Sequence, residues 1–137
     1  METAARSLGI KLHIVDVRDA GGLDHALSTV AKARPGPLFN LHRKRIAEFG
    51  LTRRIPTVGF DRHQIADGVL LSSGPSIAES YRRSAMYVDR ILKGTRPADL
   101  PVEQPTTFEL AINLRTASAL GITIPPSLRV RADEIIE

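Results

Sequence analysis

The chain has 137 residues, of which 42% are apolar, 25% charged and only 4% aromatic, with a formal net charge of +4. Such a length and composition suit one globular domain with a real hydrophobic core. The lack of cysteine excludes disulfides, thiolate metal sites and cysteine nucleophiles, and with no tryptophan there is little to build a base-stacking platform for single-stranded nucleic acid.

Residues 2–8 have helical composition and stop at Gly9, which suits a C-terminal cap. "KLHIVDV", residues 11–17, places Ile14 and Val15 side by side and predicts a buried strand. A turn over residues 19–22 leads to a helix in which Leu23, Ala26, Leu27 and Val30 recur at helical spacing up to about Ala33. Alternation of strand and helix would now supply another strand. Instead "ARPGPLFN" passes through Pro35, Gly36 and Pro37 into a second helical pattern from Phe39 to Phe49. So short a stretch leaves no room for a core strand, and a helix-to-helix junction is expected, with Gly50 ending the second helix.

"IPTVGF" (55–60) and "VLLSS" (69–73) predict two short strands, and "DRHQIADG" between them is a connecting loop or a short helical turn. Ser76 and Glu79 match the S-x-x-E capping box, in which each side chain serves a free backbone N–H. The helix they open carries Ile77, Tyr81, Ala85, Val88 and Leu92 as an apolar stripe and closes at Gly94. Prolines at 97, 101 and 105 make the next segment an extended connector. "FELAINL" (108–114) then alternates as a half-buried strand does. Asn113 is placed to cap a short helix ended by Gly121, and Pro125-Pro126 to open a last helix with Leu128, Ala132 and Ile135 on one face. The expected class is α/β, a mainly parallel sheet flanked by helices, in a single domain over residues 1–137.

Neither G-x-G-x-x-G nor a P-loop pattern occurs. His13, His25, His42 and His63 form no H-x-x-x-H pair, and Asp16, Asp19 and Asp24 lack the spacing of a calcium loop. "LLSSGPS" lacks the first glycine of a nucleophile elbow, so Ser72 and Ser73 read as a strand end feeding a helix cap. No catalytic residue, metal or cofactor is expected. The basic run His42-Arg43-Lys44-Arg45 spreads around a helix instead of forming a stripe, which predicts a solvated surface and no nucleic-acid partner. In open α/β sheets ligands bind at the carboxyl ends of strands. Asp16, Arg18, Ser72 and Ser73 occupy such ends and are candidate contacts for a small solute. No stretch approaches a membrane span, and Glu2 stands where a secretion signal carries positive charge, so the chain as written is expected to stay in the cytoplasm.

"SAMYVDRILKGTRPADLPVEQPTTFELAINLRTASALGITIPPSLRVRADEIIE", residues 84–137, closely resembles the C-terminus of ABC-transporter solute-binding proteins of the tryptophan/tyrosine type. "AARSLGIKLHIVDVR", "PLFNLHRKRIAE" and "LLSSGPSIAESYRRSA" extend the likeness over nearly the whole chain. The resemblance implies a type I periplasmic receptor of two α/β lobes, of which this chain corresponds to the second. It also implies a periplasmic setting, an ABC permease as partner, and an amino-acid-like solute bound without catalysis. Two departures stand out. The family's "ADALLVLPD"-like strand is missing between Ala33 and Pro37, and its "SYGPN" is Ser72-Ser73-Gly74-Pro75-Ser76 here, so Ser73 and Ser76 replace a tyrosine and an asparagine near the cleft. Ser76 thereby joins the candidate ligand contacts. A lone lobe would expose apolar surface, and a homodimer or larger assembly is expected, with the helix over residues 76–93 prominent in its interface. The other reading is a stand-alone, oligomerising interaction module that has lost solute binding.

Overall fold

In the computed structural model the described residues are 2–17, 21–33, 36–39 and 44–137. They belong to two compact units, Met1–Pro35 and Gly36–Glu137.

The first unit begins with helix α1, Glu2–Ser7. Gly9 adopts φ 68° and Ile10 N–H donates to the Ala5 carbonyl at 2.8 Å, the left-handed cap that the glycine predicts. Residues 11–17 form no strand. They lie without regular structure, with Leu12 39% and Ile14 69% exposed. Their β preference is a fitness for a pleated, half-buried surface, and no ladder forms on them among the described residues. Helix α2, Gly22–Ala33, follows as expected, burying Leu23, Ala26 and Val30.

The second unit contains the sheet. Strand β1, Leu38–Phe39, is only two residues long and pairs in parallel with β2, Thr57–Gly59. The expected helix-to-helix junction therefore keeps a stub of strand. Pro37 holds the chain extended into it, and Leu38 N–H reaches the Pro56 carbonyl at 2.8 Å. Helix α3 is Lys44–Arg53 and does not stop at Gly50. Gly50 is instead a contact point: a Cβ there would lie 2.5 Å from Thr57 Cγ2 and 2.8 Å from the Ile55 carbonyl oxygen. Arg54 takes the left-handed cap conformation in its place, with φ 56°.

A 3-10 turn, Arg62–Asp67, leads to strand β3, Leu71–Pro75, parallel to β2. Helix α4, Ile77–Leu92, carries the chain away, and strand β4, Phe108–Asn113, returns antiparallel to β3. Helix α5, Leu114–Leu120, and helix α6, Pro126–Arg131, precede the final strand β5, Glu134–Ile136, which runs parallel to β4. The last helix thus ends before Ala132, and Ile135 belongs to a strand paired with Ile112. Asp133 enforces the change: its N–H donates to the Leu110 carbonyl and its carboxylate accepts from Leu110 N–H, both at 2.8 Å.

The strand order is β1-β2-β3-β4-β5, with the β3–β4 pairing alone antiparallel. This is the mixed, mainly parallel, helix-flanked sheet that the sequence predicts. Register puts Thr57, Gly59, Ser72, Gly74, Ala111 and Asn113 on one face. Gly50 of α3 meets Thr57 there, and Gln64 of the 3-10 turn covers Gly59. Ala47, Ile65, Val69, Ala111 and Ala117 are buried with them.

Candidate functional site

β1, β2 and β3 run the same way, so their carboxyl ends share one border of the sheet, with Phe39, Gly59 and Pro75 marking it. The chain end of β3 is pinned twice. Ser76 N–H donates to the Thr107 carbonyl at 2.9 Å, and Ser76 Oγ accepts from Glu79 N–H at 3.4 Å to cap α4. Only half of the expected capping box forms. The backbone N–H that Glu79 would serve is already held by Thr107, and the Glu79 carboxylate turns to Arg82 and Arg83 instead.

The serines of this passage point in different directions. Ser72 is fully enclosed on the face it shares with Gly59, and its hydroxyl has no hydrogen-bond partner among the described residues. Ser73 lies on the opposite face and is exposed. Ser76 is buried at the helix start. Asp16 is exposed in the first unit, and Arg18 lies outside the described residues, as do Asp19, His42 and Arg43.

A full capping box does form one loop earlier, where sequence reading left the structure open. Asp61 Oδ1 accepts from His63 N–H at 3.0 Å, and Gln64 Oε1 accepts from Phe60 N–H at 3.0 Å and Asp61 N–H at 3.1 Å. The D-x-x-Q spacing was the available signal. Next to it, Arg62 Nε stands 3.7 Å from Glu109 and 4.0 Å from Glu134, tying the turn to β4 and β5. Asn113 fastens the far end of the turn, donating from Nδ2 to the Ile65 carbonyl at 2.8 Å while its Oδ1 caps α5 through Thr116 N–H at 2.9 Å.

Two of the hollows among the described residues are well defined. One borders Glu2, Arg6, Ile10 and Lys11, and the other Glu79, Arg83, Tyr87, Arg90 and Glu103; neither includes Ser72, Ser73 or Ser76. In the second, Tyr87 donates its hydroxyl proton to the Pro101 carbonyl at 2.7 Å, and Arg83 reaches Glu103 at 2.8 Å. Desolvation, followed by the charge of Glu103, holds the Tyr87 phenol above its ordinary ionisation range against the opposing pull of Arg90 and Arg83. Among the described residues no group of three or more His, Asp or Glu is placed to hold a metal ion, and no helix is long and apolar enough to cross a membrane.

The family model for ABC transporter substrate binding proteins matches residues 39–136. The chain belongs to that family. A conserved domain protein from Vibrio cholerae has the same fold at a TM-score of 0.89 and 24% identity, covering 98% of this chain and 47% of its own. An ABC domain from Streptococcus pneumonia, solved in complex with L-Trp, superposes at 0.88 with 20% identity, over 98% of this chain and 48% of that one. A ligand-free, open substrate binding protein with adhesive properties from Clostridium difficile gives 0.67 and 15%, over 98% and 47%. The chain thus spans about half the length of these solved structures. No curated protein matches the sequence.

Proposed function

We propose that this member of the ABC transporter substrate binding family serves as one lobe of a solute receptor. Its ligand is a small amino-acid-like solute, held non-covalently and without catalysis or cofactor at the carboxyl ends of β1 to β3. The family match over residues 39–136 is the observation that carries the reading, and the neighbour bound to L-Trp supports the ligand class. Ser73 is the exposed hydroxyl at that border, and the Ser76 hydroxyl accepts from Glu79 N–H while its own proton is left to donate. An ABC permease and an extracytoplasmic setting go with the proposal on family membership. Association of two copies is part of the proposal too, since large apolar side chains of α4 stand open to solvent.

The test is the melting temperature of the purified protein against a panel of amino acids. A ligand at 100 times its Kd adds about 2.7 kcal/mol, or several degrees for a chain of this size. The shift is expected for one chemical class and is lost in Ser73→Ala. A flat panel from a cooperatively melting protein overturns the reading.

A second reading, a stand-alone interaction module, rests on α4. That helix buries none of its residues, and a protein-binding surface is a use for it that needs no solute.

A further inference from the structure

The apolar stripe of α4 is left open. Tyr81 is 74% exposed, Val88 55%, Ile91 40% and Leu92 82%. One side of the helix is already occupied by its own chain, where Tyr87 bonds Pro101 and Arg83 bonds Glu103 and Thr106. At 100° per residue Tyr87 lies about 110° from the stripe, so these contacts leave the stripe uncovered.

The stripe reads the same from both ends. About a midpoint between Ser84 and Ala85, Ile77 mirrors Leu92 and Tyr81 mirrors Val88, with the two smallest side chains at the centre. A second α4 laid antiparallel across a two-fold axis at that midpoint would set large apolar residues against large ones. The serine and alanine would let the two backbones approach at the crossing. The charges agree. Arg82 and Asp89 both flank the stripe on the side away from Tyr87, at about 140° and 120° around the helix from Ile77. The two-fold brings each Arg82 to the same level as the other copy's Asp89, within about 3 Å along the axis. A parallel two-fold pairing would instead put the Arg82 and Asp89 of the two copies on opposite sides of the seam, where they could not meet.

We propose that the partner of α4 is a second copy of this chain, docked antiparallel through Tyr81, Ser84, Ala85, Val88 and Leu92. This gives the association of copies suggested above a defined geometry, and it does not depend on solute binding. Two helices of 16 residues bury less than the roughly 1,200 Å² at the lower limit of stable interfaces, so the dimer is weak and concentration-dependent.

The chain has no cysteine, so an introduced one reports only on its own position. Ser84→Cys places two thiols beside the axis, and mild oxidation is expected to give a covalent dimer. Leu92→Cys, on an equally exposed turn, places them 15 residues of rise apart, about 22 Å, far beyond the roughly 7 Å that a disulfide spans. It is expected to remain monomeric. Sedimentation of the unmodified chain should show a dimer at high micromolar concentration, weakened at least tenfold by Tyr81→Glu. Arg82→Asp and Asp89→Arg should each self-associate poorly, and mixing the two variants should restore the dimer because both cross-pairs become complementary. Cross-linking at both cysteine positions, or failure of the mixture to recover, overturns the antiparallel geometry. A monomer at every concentration, with no Ser84→Cys product, overturns the second copy as the occupant. The amino-acid panel reads the solute proposal separately.

Discussion

Ser72→Ala is expected to stabilise the protein. The Ser72 hydroxyl is fully enclosed in β3 and has no hydrogen-bond partner among the described residues. In the unfolded chain it is bonded to water, so enclosing it costs about 1–3 kcal/mol, which alanine avoids. Removing one oxygen also forfeits dispersion contacts at about 0.1–0.2 kcal/mol each, or roughly 0.5–1 kcal/mol for about five neighbours. Intrinsic strand preference separates serine from alanine little. The balance is a gain of about 1 kcal/mol. With a urea slope of about 2 kcal/mol/M, the unfolding midpoint should rise by about 0.5 M at unchanged slope. Ser72→Val serves as the control, since it adds bulk at a fully enclosed position and should destabilise by about 1–3 kcal/mol. A midpoint lowered by the equivalent of 1 kcal/mol in Ser72→Ala would show that the hydroxyl is bonded, and the reasoning would fail. A loss seen only in the presence of an amino acid would make Ser72 a ligand contact.

Asn113→Ala removes both the donor to the Ile65 carbonyl and the cap of α5. It should cost about 3 kcal/mol in urea titration, and a cost below 1 kcal/mol would mean that the turn is held by its own capping box alone. Gly74→Ala puts a Cβ into the Phe60 carbonyl, a backbone atom that cannot swing aside, and should destabilise by about 3 kcal/mol or abolish cooperative melting. Tyr87 has its phenol pKa raised in the folded state. Its protonated form therefore adds stability that is fully present below the ordinary pKa of about 10 and disappears as pH rises through the folded value. Tyr87→Phe should flatten the decline in melting temperature above that pH, and an unchanged alkaline profile would count against the raised ionisation of the phenol.

Local rules were enough where one residue settles a local geometry. Asn113 and Gly121 bracket α5 because a side-chain acceptor and a left-handed φ of 71° are each fixed within a few residues. The 3.6-residue spacing of Leu23, Ala26 and Val30 likewise names the buried face of α2. The misses came where a distant segment decided. Gly50 has the sequence character of a helix stop, but its missing Cβ makes room for Thr57 of the next strand. Ile135 keeps helical spacing from Leu128, but β4 offered it a ladder. Residues 11–17 have the apolar pattern of a strand and no pairing among the described residues. At the candidate site, the passage through Ser72 and Ser73 was legible as a strand end feeding a helix cap. Which serine faces outward was not, since it depends on a strand register that no short window contains.

The bond from Ser76 N–H to the Thr107 carbonyl closes the base of a long excursion. Everything between those residues, α4 included, leaves the sheet and comes back at neighbouring strand ends. Since α4 buries no residue, a pull on that helix is not spread through the core but delivered to this single seam. Mechanically the excursion is a paddle on a narrow stem. A cut in its outer part would spare the sheet, whereas a load on its blade would first be felt where β3 ends and β4 begins.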